Sequence, residues 1–280
     1  MGMQVNTNIA ANNAYRNLSN TQNDLSKSLE KLSSGLRINR AADDAAGLSI
    51  SEGLKSQVNG STVAARNAQD GISVIQTAEG ALTEVHSILQ RMRDLAVQGS
   101  NDSNNADSRK AIKAEGDQLG QELDRITTNT NFNGINLLDN STPTLNFQVG
   151  TGGTATDNIA VNLADVAGNV GTLAGAAAAA GFDVTDHAAA QTTVATIDTA
   201  IKAISTSRSE LGASQNRLES ASRSLAVSKE NLSAAQSRIT DTDMAEEMVK
   251  FTRANVLSQA GTAMLSQANQ SGQGVLKLLG

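Results

Sequence analysis

Few side chains in this sequence have the types and spacing that catalysis or metal binding requires. His86 and His187 are its only histidines, they lie far apart along the chain, and cysteine is absent. A catalytic triad or a metal site needs several such groups brought together, and the lack of cysteine excludes thiol nucleophiles, thiolate-bound metals and disulfides. We therefore expect two partly solvated structural histidines, no catalytic, metal or cofactor site, and no enzymatic activity.

Two acidic pairs and one glycine-rich run could also suggest ligand sites. The pairs are Asp43 with Asp44 and Asp241 with Asp243, and each stands at a break between helical segments. An aspartate at such a position commonly caps the helix that follows. The run that begins at Gly150 lacks the lysine and the following helix of a phosphate-binding loop. We interpret the acidic pairs as helix caps and the glycine run as a turn.

The elements that must position all of these residues are long helices with a seven-residue apolar repeat. One ladder of aliphatic residues runs through the C-terminal third of the chain without interruption: Ile197, Ile204, Leu211, Leu218, Leu225, Leu232 and Ile239. A small residue follows three positions after each of the first six. A second repeat, over residues 64–98, includes Ile75, Leu82 and Leu89. Sustained heptads predict long α-helices packed along their length, and we expect both sets to form the core of a rod.

The remaining middle segments predict smaller elements. A shorter helix of about twenty residues carries Ile112 and Ile126, on the same helical periodicity. Apolar and polar residues then alternate over residues 132–163, which predicts a small β-hairpin or a three-stranded element. Residues 166–187 are rich in glycine and alanine. Because that composition is poor in bulky side chains, we expect a short variable region at the surface.

Both ends of the chain carry apolar stripes that are separated from the middle by breaks. The N-terminal stripe comprises Leu18, Leu25, Leu29, Leu32 and Leu36. The C-terminal stripe comprises Met244, Met248, Phe251, Leu257, Met264, Leu278 and Leu279. A monomer would expose much of this surface, and exposed apolar patches mark interaction sites. We expect the two ends to pair with each other and to bury the remaining stripe against neighbouring copies, as a head-to-tail polymer would.

The sequence thus predicts a mainly α protein, an antiparallel helical bundle with a small β element and a separate coiled coil of the two termini. We predict a terminal domain of residues 1–42 with 243–280, a rod domain of 43–165 with 188–242, and a variable region of 166–187. The net charge of -6 and the pI near 5.0 argue against a nucleic-acid partner. No apolar stretch approaches the ~20 residues of a membrane span, and the N-terminus lacks a signal-peptide pattern.

Several motifs, in this order and at these separations, resemble bacterial flagellin over nearly the whole chain. They are Asn6-Thr-Asn-Ile-Ala-Ala-Asn-Asn-Ala, Leu32-Ser-Ser-Gly-Leu-Arg-Ile-Asn, Leu89-Gln-Arg-Met-Arg-Asp-Leu-Ala-Val-Gln, Asn131-Phe-Asn-Gly, Leu211-Gly-Ala-Ser-Gln-Asn-Arg-Leu, Ser237-Arg-Ile-Thr-Asp-Thr-Asp and Gln259-Ala-Gly-Thr-Ala-Met-Leu-Ser-Gln-Ala-Asn-Gln. The resemblance implies a structural subunit that self-assembles into the extracellular flagellar filament for motility, with its large outer domains essentially absent. The alternatives are a hook–filament junction protein, which shares the terminal architecture, and another secreted coiled-coil surface protein or adhesin.

The resemblance also implies a set of partners. Flagellins leave the cell through the flagellar type III export apparatus without a cleaved signal peptide, an export chaperone holds the C-terminal segment, and filament cap and hook–filament junction proteins contact the polymer. Flagellins with this arginine-containing motif are recognised by the vertebrate Toll-like receptor 5. By motif match the recognition patch here is Gln90, Arg91, Leu95 and Glu115. Composition alone would favour a solvated helix edge at this strip.

Overall fold

The computed structural model describes residues 8–173 and 181–279, with the helical backbone alone for residues 271–279. Its helices are α1 (Ile9–Ser34), α2 (Ala45–Gly99), α3 (Ala106–Asn129), α4 (Val166–Val170), α5 (His187–Thr240) and α6 (Met244–Leu279). Its strands are β1 (Asn131–Phe132), β2 (Ile135–Asn136), β3 (Thr144–Gln148) and β4 (Asn158–Asn162). The mainly α fold, predicted from the heptads, and the small β element, predicted from the alternating residues, are confirmed.

The helix that follows the first break is longer than the sequence pattern indicated. The heptad stripe predicted a rod over residues 64–98, but α2 begins at Ala45 and continues for 55 residues. Its start is fixed by Asp44, whose Oδ1 accepts a hydrogen bond of 2.8 Å from the Gly47 backbone N–H. No proline interrupts α2 or α5, because the only proline in the chain is Pro143, so both helices can persist.

Residues 59–229 form one compact unit in which α2 and α5 run antiparallel. Three contacts along the helices set this pairing: the Arg93 Nε atom lies 2.6 Å from Asp198 Oδ1, Arg208 Nη2 lies 3.4 Å from Glu79 Oε1, and Leu218 packs beside Gly71. The buried cluster between the helices includes Ile75, Leu82, Leu89, Ile197, Ile204, Leu211 and Leu218, none of which is exposed to solvent. The apolar line of α2 and the first four rungs of the ladder therefore lie in the core.

The last three residues of the ladder are not part of this buried cluster. Leu225, Leu232 and Ile239 are only half-buried, so the expectation that they form the rod core is wrong for these positions. A heptad shows which face of a helix is apolar, whereas burial also needs other chain packed over that face. On α5 the buried apolar residues end at Leu218 in the part of the chain that the structure describes.

The β region consists of two separate antiparallel pairs. Strands β1 and β2 are joined by Asn133 and Gly134, which have φ angles of 52° and 79°. Positive φ at both central residues is typical of a two-residue hairpin turn, and an Asn-Gly sequence favours it. Strands β3 and β4 pair with Leu145 opposite Val161. Asn67 of α2 donates a hydrogen bond of 3.0 Å to the Gln148 carbonyl oxygen, which ties the second pair to the helix.

The segment between β4 and α5 is built into the core, which corrects the expectation of a surface region. Its apolar residues Val166, Val170, Leu173, Phe182 and Val184 are all buried. Lys113 of α3 donates to the Phe182 carbonyl oxygen at 2.7 Å and holds the segment in place. The prediction was based on the average composition of the segment, which is dominated by glycine and alanine and gave these few bulky side chains little weight. Its alanine run at residues 176–180 lies outside the described residues.

The second compact unit combines the residues up to Val58 with those from Glu230 onward. Helices α1 and α6 pair antiparallel, since Asn8 donates to the Ala268 carbonyl oxygen at 2.9 Å and Ser258 Oγ lies 3.2 Å from Gln22 Oε1. The predicted pairing of the two termini in a coiled coil is confirmed. The limits of the units lie inside α2 and α5, whereas the predicted domain limits lie at the turns after residues 42 and 242.

Candidate assembly and recognition surfaces

The seam between α1 and α6 follows the heptad rule with mostly small or polar residues. On α1 the less exposed residues recur at alternating three- and four-residue steps: Ala11, Ala14, Leu18, Thr21, Leu25, Ser28 and Leu32. On α6 the corresponding residues are Glu247, Phe251, Ala254, Ser258, Gly261, Leu265 and Ala268. Small side chains let the two helices approach closely, as at Gly261, where an added Cβ would lie 3.1 Å from Leu18 Cδ1.

Several apolar residues of the terminal helices, together with Leu36 in the turn after α1, lie outside this seam. We call them the exposed apolar surface: Ile9, Tyr15, Leu29, Leu36, Met244, Met248, Val249, Val256, Leu257 and Met264. All except Leu36 are more than half exposed. Because α6 carries apolar residues on the seam and also at exposed positions outside it, pairing with α1 alone leaves it incompletely covered. Exposed apolar residues grouped in this way mark an interaction site.

The predicted terminal stripes therefore divide into two groups. Leu18, Leu25, Leu32 and Phe251 are half-buried at the seam. The exposed group comprises Leu29, Leu36, Met244, Met248, Leu257 and Met264. Leu278 and Leu279 belong to the part of α6 for which only the backbone is described. The predicted C-terminal stripe omits the exposed Val249 and Val256. It also omits Glu247, Ala254, Ser258 and Gly261 of the seam, which the strict four-three spacing from Glu247 onward could have identified.

The predicted recognition patch is only partly on the surface. Gln90, Arg91 and Glu115 are exposed, and Arg91 reaches from α2 to α3, with its Nη2 and Nε atoms 2.6 and 3.0 Å from Glu115 Oε1. Leu95 is only 2% exposed. It lies with Met92 on the side of α2 that faces the core, so the expectation that its side chain is presented at the surface is wrong.

The residues that could have suggested chemistry have ordinary structural surroundings. His86 contacts Gln90 through its Nε2 atom at 3.0 Å, and His187 contacts the Ser100 carbonyl oxygen through Nδ1 at 2.6 Å. Within residues 8–173 and 181–279, no three His, Cys, Asp or Glu side chains are grouped closely enough to hold a metal ion. No helix in these ranges is long and apolar enough to span a bilayer.

The acidic residues at the breaks fix the turns. Asp43 accepts from the backbone N–H groups of Arg40 and Asn39, at 3.0 and 3.2 Å, and these donors lower the pKa of its carboxyl group. Asp243 accepts from the backbone N–H groups of Ala245 and Glu246 at the start of α6. Because the two breaks also bond to each other, with Arg37 N 2.6 Å from the Thr240 carbonyl oxygen, these residues define where the terminal helices leave the rest of the chain.

Comparison with known proteins identifies the family. The bacterial flagellin N-terminal helical region matches residues 5–142, and the bacterial flagellin C-terminal helical region matches residues 194–279. The flagellin of Halalkalibacterium halodurans is 51% identical over 277 residues, which cover 99% of this chain and 100% of that protein. The chain belongs to the bacterial flagellin family. It is therefore a structural subunit of the flagellar filament, which lies outside the cell.

Two further relatives agree with membership of the flagellin family. The flagellin of Bacillus subtilis is 47% identical over 305 residues, with 99% of this chain and all of that protein covered. The flagellar filament 33 kDa core protein of Treponema phagedenis is 43% identical over 290 residues, again with 99% and 100% covered. These matches favour a flagellin over a hook–filament junction protein or an adhesin. As a flagellin the chain is short, since only residues 163–186 lie between β4 and α5.

Proposed function

We propose that this flagellin joins the filament through the exposed apolar surface of α1 and α6. The observation that carries the proposal is that α6 pairs with α1 on one face while, within residues 244–270, six large apolar side chains are exposed outside that face. Copies of the same helix pair can cover these side chains in one another. A repeated head-to-tail contact of this kind continues without closing and gives a filament.

Leu257 provides the sharpest test of this surface because it is 52% exposed on α6. Burying the exposed half of a leucine contributes about 1 kcal/mol, and a carboxylate left without a partner in an apolar contact costs several kcal/mol more. Since about 1.4 kcal/mol corresponds to a factor of ten, we expect Leu257→Asp to raise the critical concentration for polymerisation about a hundredfold or more.

The experiment is seeded polymerisation of purified monomer, followed by sedimentation and negative-stain imaging. Ser103→Asp, in the exposed loop between α2 and α3, is the control because it adds the same charge to the compact unit that does not contain the terminal helices. We expect it to form long uniform filaments as the unsubstituted protein does. Filament formation by Leu257→Asp at the ordinary critical concentration would contradict the proposed surface. Discrete oligomers of the unsubstituted protein would contradict polymer formation itself.

We propose that the monomer is also recognised by Toll-like receptor 5 through Gln90, Arg91 and Glu115. The support is the motif match and the exposure of the Arg91–Glu115 ion pair, whose side chains are 56% and 47% exposed. Arg91→Ala should lower receptor activation by monomers by at least tenfold. Arg125→Ala is the matched control, because Arg125 also forms an exposed ion pair with a glutamate, Glu122, on α3. Equal activity of Arg91→Ala and the unsubstituted monomer would contradict this role.

Leu95 is unsuitable for that experiment. A Leu→Ala change at a position only 2% exposed creates a cavity and costs about 2–5 kcal/mol. Loss of receptor activation in Leu95→Ala would then report damage to the folded unit as well as any contact. A circular dichroism melt of each variant separates the two effects.

We propose that the remaining partners contact the chain as they do in the family that it resembles. An export chaperone would shield α6, whose exposed apolar residues are an aggregation liability before polymerisation. Titration of the chaperone into the monomer should give saturable binding that is lost on deletion of residues 244–280.

Filament cap and hook–filament junction proteins would contact the ends of the polymer. N-terminal sequencing of protein from filaments tests export without a cleaved signal peptide, which predicts that the N-terminal flagellin region is retained from residue 5 onward.

A further inference from the structure

We propose that Met244, Met248 and Met264 are a reversible oxidation site, and that their conversion to sulfoxides prevents the monomer from joining the filament. This inference rests on the proposed role of the exposed apolar surface. The reagent that acts on this surface is a two-electron oxygen donor such as hydrogen peroxide. Oxidation of these methionines then blocks assembly.

The positions of the methionines carry the argument. The chain has six, and Met1 and Met3 lie outside the described residues. Met244, Met248 and Met264 are 51%, 55% and 67% exposed on α6, whereas Met92 is completely buried in the core. Methionine oxidation follows the accessibility of the sulfur atom. The folded monomer therefore presents three reactive thioethers on the proposed contact surface and keeps Met92 as a protected internal reference.

The reaction needs no catalytic group from the protein. A lone pair of the thioether sulfur attacks one oxygen of hydrogen peroxide, the S–O bond forms and the O–O bond breaks. The sulfur loses two electrons, and the peroxide is reduced to water after a proton moves to the departing oxygen. A sulfoxide reductase with a thiol reductant reverses the change, because methionine sulfoxide is the reducible oxidation state.

The product is incompatible with an apolar contact. Met248 lies beside Val249, Val256 and Leu257, with which it lines one shallow apolar depression on α6. A sulfoxide oxygen is a strong hydrogen-bond acceptor, and burying it without a donor is unfavourable. Oxidation therefore changes side chains that favour burial into groups that favour water. Once copies have assembled, the same contact excludes the oxidant, so filaments should be protected where monomers are not.

The experiment treats full-length monomer with dilute hydrogen peroxide, removes the oxidant, and measures seeded polymerisation beside peptide mass spectrometry. We expect sulfoxides at Met244, Met248 and Met264, little at Met92, and at least a tenfold rise in the critical concentration. Sulfoxide reductase should restore both the masses and the assembly. The matched control is the triple variant M244L/M248L/M264L, which keeps apolar side chains of similar size. Whatever critical concentration this variant has, peroxide should leave that concentration unchanged.

Each outcome decides a different point. Normal assembly of monomer that carries all three sulfoxides overturns the inference, and so does equal loss of assembly by the peroxide-treated triple variant, since the damage would then lie elsewhere. If the untreated triple variant fails to polymerise, the test is the reductase treatment of the oxidised natural chain. Recovery of polymerisation after that treatment supports the inference, and no recovery overturns it. Failure of the untreated natural chain to form filaments would instead overturn the proposed function.

Discussion

Replacing Phe182 with alanine tests whether the segment between β4 and α5 belongs to the core. The ring of Phe182 is fully buried and lies over Gly116 of α3. Truncating a buried phenylalanine to alanine costs about 3–5 kcal/mol, from lost apolar burial and from the cavity that remains. We expect Phe182→Ala to lower the free energy of unfolding of the unit formed by residues 59–229 by this amount.

A second substitution, Gly116→Ala, should have opposite effects on stability in the natural protein and in the Phe182→Ala variant. A Cβ atom added at Gly116 would lie within 2.5 Å of three ring atoms of Phe182, so Gly116→Ala should overpack the natural protein and cost about 1–3 kcal/mol. In the Phe182→Ala background the same methyl group enters vacated space. There the higher helix propensity of alanine should stabilise α3 by up to about 1 kcal/mol.

Guanidinium unfolding of the monomer, followed by circular dichroism, measures these differences. Val227→Ala is the control, because Val227 is an apolar residue of the same unit that is 59% exposed, and its truncation should change stability by less than about 0.5 kcal/mol. A cost for Phe182→Ala no greater than that for Val227→Ala would contradict the burial of this segment in the core. An equal effect of Gly116→Ala in both backgrounds would contradict the contact between Gly116 and Phe182, because coupled neighbours must be non-additive.

Three further predictions concern the helix seams and the β region. Ser214→Leu places a large side chain on the half-buried small-residue line of α5 and should cost about 1–3 kcal/mol in chemical unfolding, whereas a neutral effect would mean that the line faces solvent. Asp157 accepts hydrogen bonds from the Thr154 hydroxyl and backbone N–H groups, which lower the pKa of its carboxyl group in the folded state. Its stabilising contribution is therefore complete above the unfolded-state pKa near 3.9. That contribution is lost as pH falls through the lower pKa of the folded state. Asp157→Asn should make the thermal midpoint less sensitive to pH in that acid range, and an unchanged slope would argue against this linkage. Glu247 is 5% exposed at the α1–α6 seam, with Lys250 as an ion-pair partner at 3.5 Å. Replacing both partners together, in Glu247→Leu/Lys250→Leu, should leave the terminal unit equally stable or stabilise it by up to about 4 kcal/mol, and a clearly lower thermal midpoint of this double variant would contradict that expectation.

The apolar periodicity accounts for much of the fold without tertiary information. Heptad spacing placed Leu82 and Ile197 in the core, and the breaks at Asp44 and Asp243 located two helix starts. The reason is local: the side chains at every third and fourth position share one face of a helix, and a capping carboxylate bonds to the N–H groups of its own turn. The family motifs are likewise present in the sequence itself.

Other features depended on what packs against each apolar face. Leu95 and Leu29 are the same residue type on equally periodic helices, yet Leu95 is buried in the core and Leu29 is 56% exposed. Phe182 is buried although its segment has the composition of a surface excursion, because α3 offers Gly116 beneath its ring. The sequence by itself determined which faces are apolar and where helices begin. The tertiary structure decided which of those faces are covered within the chain and which are left for another molecule, because burial depends on residues distant along the chain.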